Sequence, residues 1–226
     1  MGKRSIIAIS FINLILVISL VFLSACIEKT SSAVTSSELI TFKNGLPVQD
    51  GIYIAEIEEL IHNGIVEKYG REEFEANILA NEIHGHLGAY ILVGTKMGLY
   101  ARELLNAPRK EMQVVSEAWG GKYPLSCIND GILAATLCSA AYDTLLIDKT
   151  KSNYAAEFTY EGRTVRLELK EKYKSQLEAK IAEAQSKYTK DGEFTHEYWE
   201  EVEEISWWLW VDWDRTEIFD VKYLGN

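Results

Sequence analysis

The chain has 226 residues, of which 47% are hydrophobic and 25% are charged, and these values are ordinary for a folded soluble domain. This length is enough for one domain with a substantial core, or at most for two small domains. The formal net charge of −11 argues against nucleic-acid binding through a broad basic surface, so we expect no nucleic-acid partner.

The N-terminus has the pattern of a secretory signal. Lys3 and Arg4 precede the uncharged apolar run SIIAISFINLILVISLVF, which is followed by LSAC, ending at Cys26. This ending resembles the bacterial lipobox, in which the cysteine is diacylated and becomes the mature N-terminus. We predict that residues 1–26 are a lipoprotein signal peptide ending at the lipidated Cys26. An uncleaved transmembrane anchor is the alternative, since the run is about long enough to span a bilayer.

Both alternatives predict export, with the protein held at the membrane on its extracytoplasmic side. Residues 27–50 are predicted to be a flexible tether, because they are rich in Ser and Thr and lack a sustained apolar period. Residues 51–226 are predicted to form a single α+β domain that includes a Trp-rich C-terminal segment.

Helical periodicity dominates the start of this domain. Isoleucines at helical spacing predict a helical stretch over residues 51–70, and REEFEANILANEI and LGAYILVGTKMGLYARELLNA predict two further helices. Gly88, Gly94 and Gly98 would weaken the third helix in isolation. Their presence indicates that another backbone packs closely against it.

The middle of the domain is predicted to be mostly strands. KEMQVVSEAW, YDTLLID, YAAEFTY and RTVRLEL are expected to be strands, with YEGR as a hairpin turn, whereas CINDGILAATLC is expected to be a buried helix. This order indicates an α+β fold in which N-terminal helices pack on an antiparallel sheet and further helices follow at the C-terminus. The chain contains no Cys-x-x-Cys pair, so no zinc ribbon is expected.

Two C-terminal helices are predicted, over residues 170–190 and over THEYWEEVEEISWWLWVDW, the second capped by Thr195. The second helix carries five of the six tryptophans. They could lie at the bilayer interface, where indoles are favoured. We favour packing on the core or at a dimer contact, because the neighbouring glutamates would be repelled by anionic lipid.

Histidines and cysteines are the candidate functional residues. His84 and His86 are separated by one glycine; on a regular helix their side chains would point about 200° apart, whereas a turn at that glycine would allow both rings to converge. Cys127 and Cys138 bracket the predicted small-residue helix, whose length of about 16 Å argues against a disulfide between them. From the spacing alone, a buried histidine pair bonded to backbone is a simpler explanation than a metal site.

Three sequence blocks carry a family resemblance. HGHLGAYILVGTKMG resembles the HGHLG-containing motif of the FmdE family, which is named after the FmdE component of formylmethanofuran dehydrogenase and often has Pro in place of Ala89. CINDGILAATLC resembles the second block of that family, and DRTEIFDVKYL resembles its closing segment. The blocks occur in the family order and span about Ala55 to Leu224. The resemblance implies an α+β core that is often paired as an intertwined dimer, with a cleft that collects the histidines and cysteines.

The resemblance shifts the interpretation of these residues toward a metal site. It implies that His84, His86, Cys127 and Cys138 are metal ligands, and neutral imidazole and thiolate suit zinc or another borderline transition metal. Asp130 follows Cys127 by three residues, so it could orient one of the histidines. Equally, its charge could simply favour the helix N-terminus.

The predicted function is that of an exported, membrane-anchored FmdE-like homodimer that binds a transition metal or a small metal-associated ligand at a His/Cys cleft. Two alternatives stay open: a metal-dependent enzyme acting on a small substrate, and a non-catalytic interaction protein that uses the Trp-rich segment. In the family, a Gly-Lys-Gly element usually follows the second cysteine. Ala141, Tyr142 and Asp143 stand there in this chain, and the loss of that lysine favours ligand binding without turnover.

Overall fold

The computed structural model describes residues 53–121 and 124–225. The predicted signal peptide and tether, including Cys26, lie outside the described residues. All described residues belong to one compact unit. None of their helices combines the length and apolarity that a membrane span requires.

Four helices form the N-terminal part of the described chain. They are α1 (Ala55–His62), α2 (Ile65–Tyr69), α3 (Arg71–His84) and α4 (Ala89–Leu105). The helical stretch predicted over residues 51–70 is interrupted between α1 and α2, because Gly64 adopts a left-handed conformation with φ of 79°. Helix α4 is buried around most of its circumference, which explains its nearly uniform apolar sequence.

A close helix crossing joins α4 to the short helix α5 (Ile128–Thr136). A Cβ atom placed on Gly94 would lie 2.0 Å from the Ile128 carbonyl oxygen, and one on Gly131 would lie 1.9 Å from the Ile91 carbonyl oxygen. No side chain fits at such distances, so each helix needs glycine at the crossing. The prediction that another backbone packs against the glycines of α4 is therefore confirmed at Gly94.

The strands form one larger sheet and one small hairpin. They are β1 (Gln113–Ser116), β2 (Leu145–Ile147), β3 (Ala155–Tyr160), β4 (Arg163–Leu169), β5 (Thr189–Lys190), β6 (Glu193–Phe194) and β7 (Phe219–Leu224). The larger sheet has the order β2-β1-β3-β4-β7, and β5 pairs with β6. The predicted α+β class is confirmed, but the sheet departs from the antiparallel prediction at one edge, where β1 and β2 are parallel. The chain through α5 supplies the crossover that a parallel pair requires.

The sheet packs its inner face against α4, which lies over β3 and β4. Phe158, Val165 and Leu167 are fully buried there. The turn between these two strands contains Glu161 and Gly162, with φ of 47° and 73°. Positive φ at both central residues is the geometry of a two-residue hairpin, so the predicted YEGR turn is confirmed.

Two C-terminal helices, α6 (Glu171–Tyr188) and α7 (His196–Asp212), pack against each other, and the β5–β6 hairpin reverses the chain between them. Trp210 and Trp213 are only 1% and 2% exposed, so this part of the Trp-rich segment belongs to the core, as the packing interpretation predicted. Thr195 occupies the N-cap position of α7, but its side chain makes no capping hydrogen bond. The predicted cap is therefore wrong in its chemistry.

A buried ion cluster ties α3 and α4 to the chain after α7. The Lys96 ammonium is fully buried and donates a 2.5 Å hydrogen bond to Glu73 Oε1. Arg215 donates a 2.8 Å hydrogen bond to the other Glu73 oxygen. The ammonium also lies 4.3 Å from the centre of the Tyr69 ring, a cation–π distance. Burial of two cations around one carboxylate makes each member costly to remove.

Candidate functional site

The histidine pair sits in a turn between two helices. His84 is the last residue of α3, and the chain reverses at Gly85, whose φ is 85°. His86 follows in the turn before α4. The left-handed glycine takes the chain off the helical period, as predicted, and the two imidazole centroids lie 4.6 Å apart.

Helix α5 brings two further polar side chains to the histidines. His84 Nδ1 lies 2.8 Å from Asp130 Oδ2, and the His84 side chain also hydrogen-bonds to Cys127. Cys127 is the N-cap residue of α5, and Asp130 lies in its first turn. The glycine crossing between α4 and α5 therefore controls how close Cys127 and Asp130 come to His84. Asp130 fits both sequence interpretations, since it contacts a histidine from the first turn of a helix.

The two imidazoles have opposite electrostatic environments. The hydrogen bond to Asp130, with a further contribution from Cys127, raises the pKa of His84 to about 9 and outweighs the effect of burial. Burial lowers the pKa of His86, and the adjacent His84 lowers it further. Without a ligand, the turn thus combines a protonated His84 with a neutral His86 at neutral pH.

A cavity of about 270 Å³ lies beside this turn. His84, His86 and Cys127 contribute the polar group of its lining, and the first residues of α4 continue the same wall. The C-terminal helices and the β5–β6 hairpin contribute a second set of lining residues, namely Ile181, Gln185, Phe194, Tyr198, Trp199 and Val202. The cavity is therefore enclosed by two parts of the chain that are distant in sequence.

The structure does not bring Cys138 to this cluster. Cys138 is fully buried, and its thiol donates to the Met112 carbonyl oxygen over 3.2 Å. It is absent from the cavity lining, because α5 separates it from Cys127. Both cysteines are free thiols, so no disulfide joins them. The inclusion of Cys138 with His84, His86 and Cys127 is therefore corrected.

The remaining residues fit a metal by donor type and by available space. Two imidazoles and one thiol are good zinc ligands, and a carboxylate on Nδ1 of His84 leaves Nε2 available, as in many metal-binding histidines. A Cβ on Gly88 would lie 3.6 Å from His86 Nε2 and 3.9 Å from His84 Cδ2, so glycine keeps space beside both rings. Within residues 53–121 and 124–225, no three His, Cys, Asp or Glu side chains are already grouped as a metal site. A metal would therefore require side-chain adjustment.

Family membership follows from a match over more than half of the chain. Residues 83–220 match the model of the family described as "FmdE, Molybdenum formylmethanofuran dehydrogenase operon". The chain belongs to the FmdE family. The matched range contains the histidine turn, α5 and both C-terminal helices, so in this FmdE protein the whole cavity lining falls within the family region.

Two further comparisons concern individual proteins. The crystal structure of a tungsten formylmethanofuran dehydrogenase FmdE-like protein from Syntrophus aciditrophicus is similar to this FmdE chain, with 16% sequence identity and a TM-score of 0.42. The similarity covers 68% of this chain and 72% of that chain. No curated protein matches the chain.

The apolar wall of the cavity was missed in the sequence of this FmdE protein. The predicted C-terminal helices were assigned to packing, and nothing in their periodicity says which turn faces a cavity. One local signal was present: Asp191-Gly192 is a strong hairpin dipeptide, and it lies between β5 and β6. Recognising that turn would have returned Phe194 toward α6 and indicated a folded-back wall.

Proposed function

We propose that this FmdE-family protein binds a transition metal through His84, His86 and Cys127, with zinc as the first candidate. The supporting observation is that two separate segments of the chain bring two imidazoles and one thiol to the same cavity. The hydrogen bond between His84 and Asp130 adds support, because it fixes the orientation of one ring.

Each residue has a defined part in this proposal. His84 would bind through Nε2, since Asp130 holds Nδ1, and Cys127 would bind as a thiolate. His86 would complete the set by adjusting its ring within the space that Gly88 leaves open. Binding would release the proton of His84 and that of the thiol, so affinity should fall on acidification. The bound metal would supply a Lewis-acidic centre beside the apolar part of the cavity.

Metal content tests the proposal. We expect full-length chain, purified in detergent without a polyhistidine tag, to hold about one zinc per chain after zinc loading and dialysis. His86→Ala and Cys127→Ser should each lower zinc affinity by at least tenfold. His62→Ala, in an exposed position of α1, and Cys138→Ser, in the core, are the matched controls and should retain the metal.

The decisive contrast is between the two cysteines. Equal zinc affinity for Cys127→Ser and Cys138→Ser, together with full affinity for His84→Ala and His86→Ala, would contradict the proposal. The histidine turn would then serve the structure alone, with His84 held by Asp130.

We infer that the chain is exported and anchored by a lipid on Cys26, on the extracytoplasmic side of a membrane. The basic start, the apolar run and the Leu-Ser-Ala-Cys ending support this inference. Mass spectrometry of the mature protein should find a diacylated Cys26 at the N-terminus. An intact Met1 in the membrane fraction would instead indicate a transmembrane anchor.

We propose also that the protein is a homodimer, on the basis of its family resemblance. Multi-angle light scattering of the detergent-solubilised chain, with the detergent mass subtracted, should give twice the chain mass at micromolar concentration. A mass of one chain throughout a dilution series would contradict the dimer.

A further inference from the structure

The cavity wall formed by the C-terminal part of the chain is largely apolar. Phe194 stacks on Tyr198 with ring centroids 4.0 Å apart, and Trp199 meets Phe194 edge-on at 5.9 Å. Ile181 and Val202 add aliphatic surface from α6 and α7. These side chains offer contact surface to an apolar group rather than to an ion or a chain of waters.

The apolar wall directly adjoins the polar cluster. The Trp199 indole contacts the His86 ring edge-on, with centroids 5.6 Å apart. Trp199 is 44% exposed, so it stands where the cavity meets solvent. A molecule lying against this indole would therefore have one end beside His86 and, through it, beside His84 and Cys127.

The cavity volume limits the size of such a molecule. An apolar cavity of about 150 Å³ is enough to hold benzene. The cavity here, at about 270 Å³, leaves room for one ring and a head group of a few atoms. A bare metal ion would use the polar end alone and leave the aromatic wall in contact with water.

We propose that the cavity binds a small cyclic or aromatic organic acid. Its ring lies against Trp199, Val202 and Ile181, and its anionic oxygen donors face the metal held by His84, His86 and Cys127. The position of the head group rests on the proposed metal-binding function, whereas the ring subsite does not. Oxygen anions suit this end because a zinc with three protein ligands keeps a position for an oxygen ligand.

Three probes separate the head group from the ring. Benzohydroxamate carries both, acetohydroxamate carries the same chelating head with only a methyl group, and benzyl alcohol carries the ring without a chelating head. Calorimetry on the zinc-loaded full-length protein would measure the two hydroxamates, with their affinities for free zinc as the reference. Saturation-transfer NMR on the metal-free protein would measure benzyl alcohol.

We expect benzohydroxamate to bind at least about tenfold more tightly than acetohydroxamate after correction for free zinc. Trp199→Ala should reduce this ratio severalfold and weaken benzyl alcohol binding. Trp119→Ala, the same substitution outside the cavity lining, should change neither value. Because acetohydroxamate affinity is measured in each variant, any effect of Trp199 on His86 itself is separated from its effect on the ring.

Each outcome decides between the two proposals. Equal corrected affinities for the two hydroxamates, or a ratio that Trp199→Ala leaves unchanged, would overturn the ring subsite. Failure of zinc to bind, with benzyl alcohol still bound in a Trp199-dependent way, would overturn the metal proposal and keep the ring subsite. Failure of both zinc and benzyl alcohol to bind would overturn both.

Discussion

Substituting Gly131 by alanine should strongly destabilise the protein, because of the crossing between α4 and α5. The added Cβ would lie 1.9 Å from the Ile91 carbonyl oxygen and 2.5 Å from the Thr95 backbone nitrogen. Both partners are backbone atoms inside a helix, so neither can rotate away. Restoring even a 3.0 Å contact requires the two helix backbones to separate by at least 1.1 Å.

The free-energy change has two opposing contributions. Forcing an extra carbon into a packed interface costs about 1–3 kcal/mol, and more when the obstacle is backbone. Alanine recovers roughly 1 kcal/mol because glycine is the poorer helix former. At this crossing we expect a backbone clash of about 4 kcal/mol, so the net loss of unfolding free energy should be about 3 kcal/mol. For a domain of this size, that corresponds to a fall in melting temperature of about 6–12 °C.

Urea denaturation followed by circular dichroism would measure the effect. Gly98→Ala is the graded control in the partner helix, because its Cβ would meet the Ala135 side-chain methyl at 2.8 Å rather than a backbone atom. Gly98→Ala should therefore cost less than Gly131→Ala. Zinc affinity should also fall in Gly131→Ala, since the separation moves Cys127 away from His84. Stability equal to or above that of the parent chain would refute this account of the crossing.

Two further predictions concern buried charges. Lys96→Met leaves Glu73 with Arg215 as its remaining cation in the core cluster, so the unfolding free energy should drop by about 3–5 kcal/mol, and the double variant Lys96→Met/Glu73→Gln should recover part of it. Urea denaturation checks this prediction, and unchanged stability in the single variant would contradict it. The hydrogen bonds from Arg166 lower the pKa of the buried Glu117 carboxyl from its usual 4.5 to about 2. Because the folded-state pKa is depressed, the stabilisation is present above about pH 4.5 and is lost as the pH falls toward 2; it should amount to on the order of 2 kcal/mol. Denaturation curves from pH 6 to pH 2.5 should show this decline in the parent chain and a flatter profile in Glu117→Gln.

Local sequence signals were enough to predict most of the described helices and strands. RTVRLEL coincides with β4, because alternating burial and the adjacent turn residues mark both of its ends. The interruption at Gly64 was missed because isoleucine spacing continues across it. KEMQVVSEAW shortens to Gln113–Ser116 because the pairing with β2 and β3 defines the strand, and pairing is a tertiary property.

The candidate site divides in the same way. The turn at Gly85 was readable, since two histidines separated by glycine cannot share a ligand on a regular helix. Cys138 was grouped with Cys127 because both belong to one sequence block, although α5 carries them to different environments. The burial of Lys96 was unreadable, since Glu73 lies 23 residues before it and 142 residues before Arg215.

The two-part construction of the cavity separates reactivity from selectivity. The polar end comes from the histidine turn and the start of α5, whereas the apolar wall comes from α6, α7 and the hairpin between them. Substitutions at Ile181 or Val202 can therefore reshape the space for a ligand without changing a donor atom at the polar end. Such an architecture lets related proteins diversify what they accept while inheriting the same coordinating chemistry, and it makes the α6–α7 hairpin a natural unit to exchange between them.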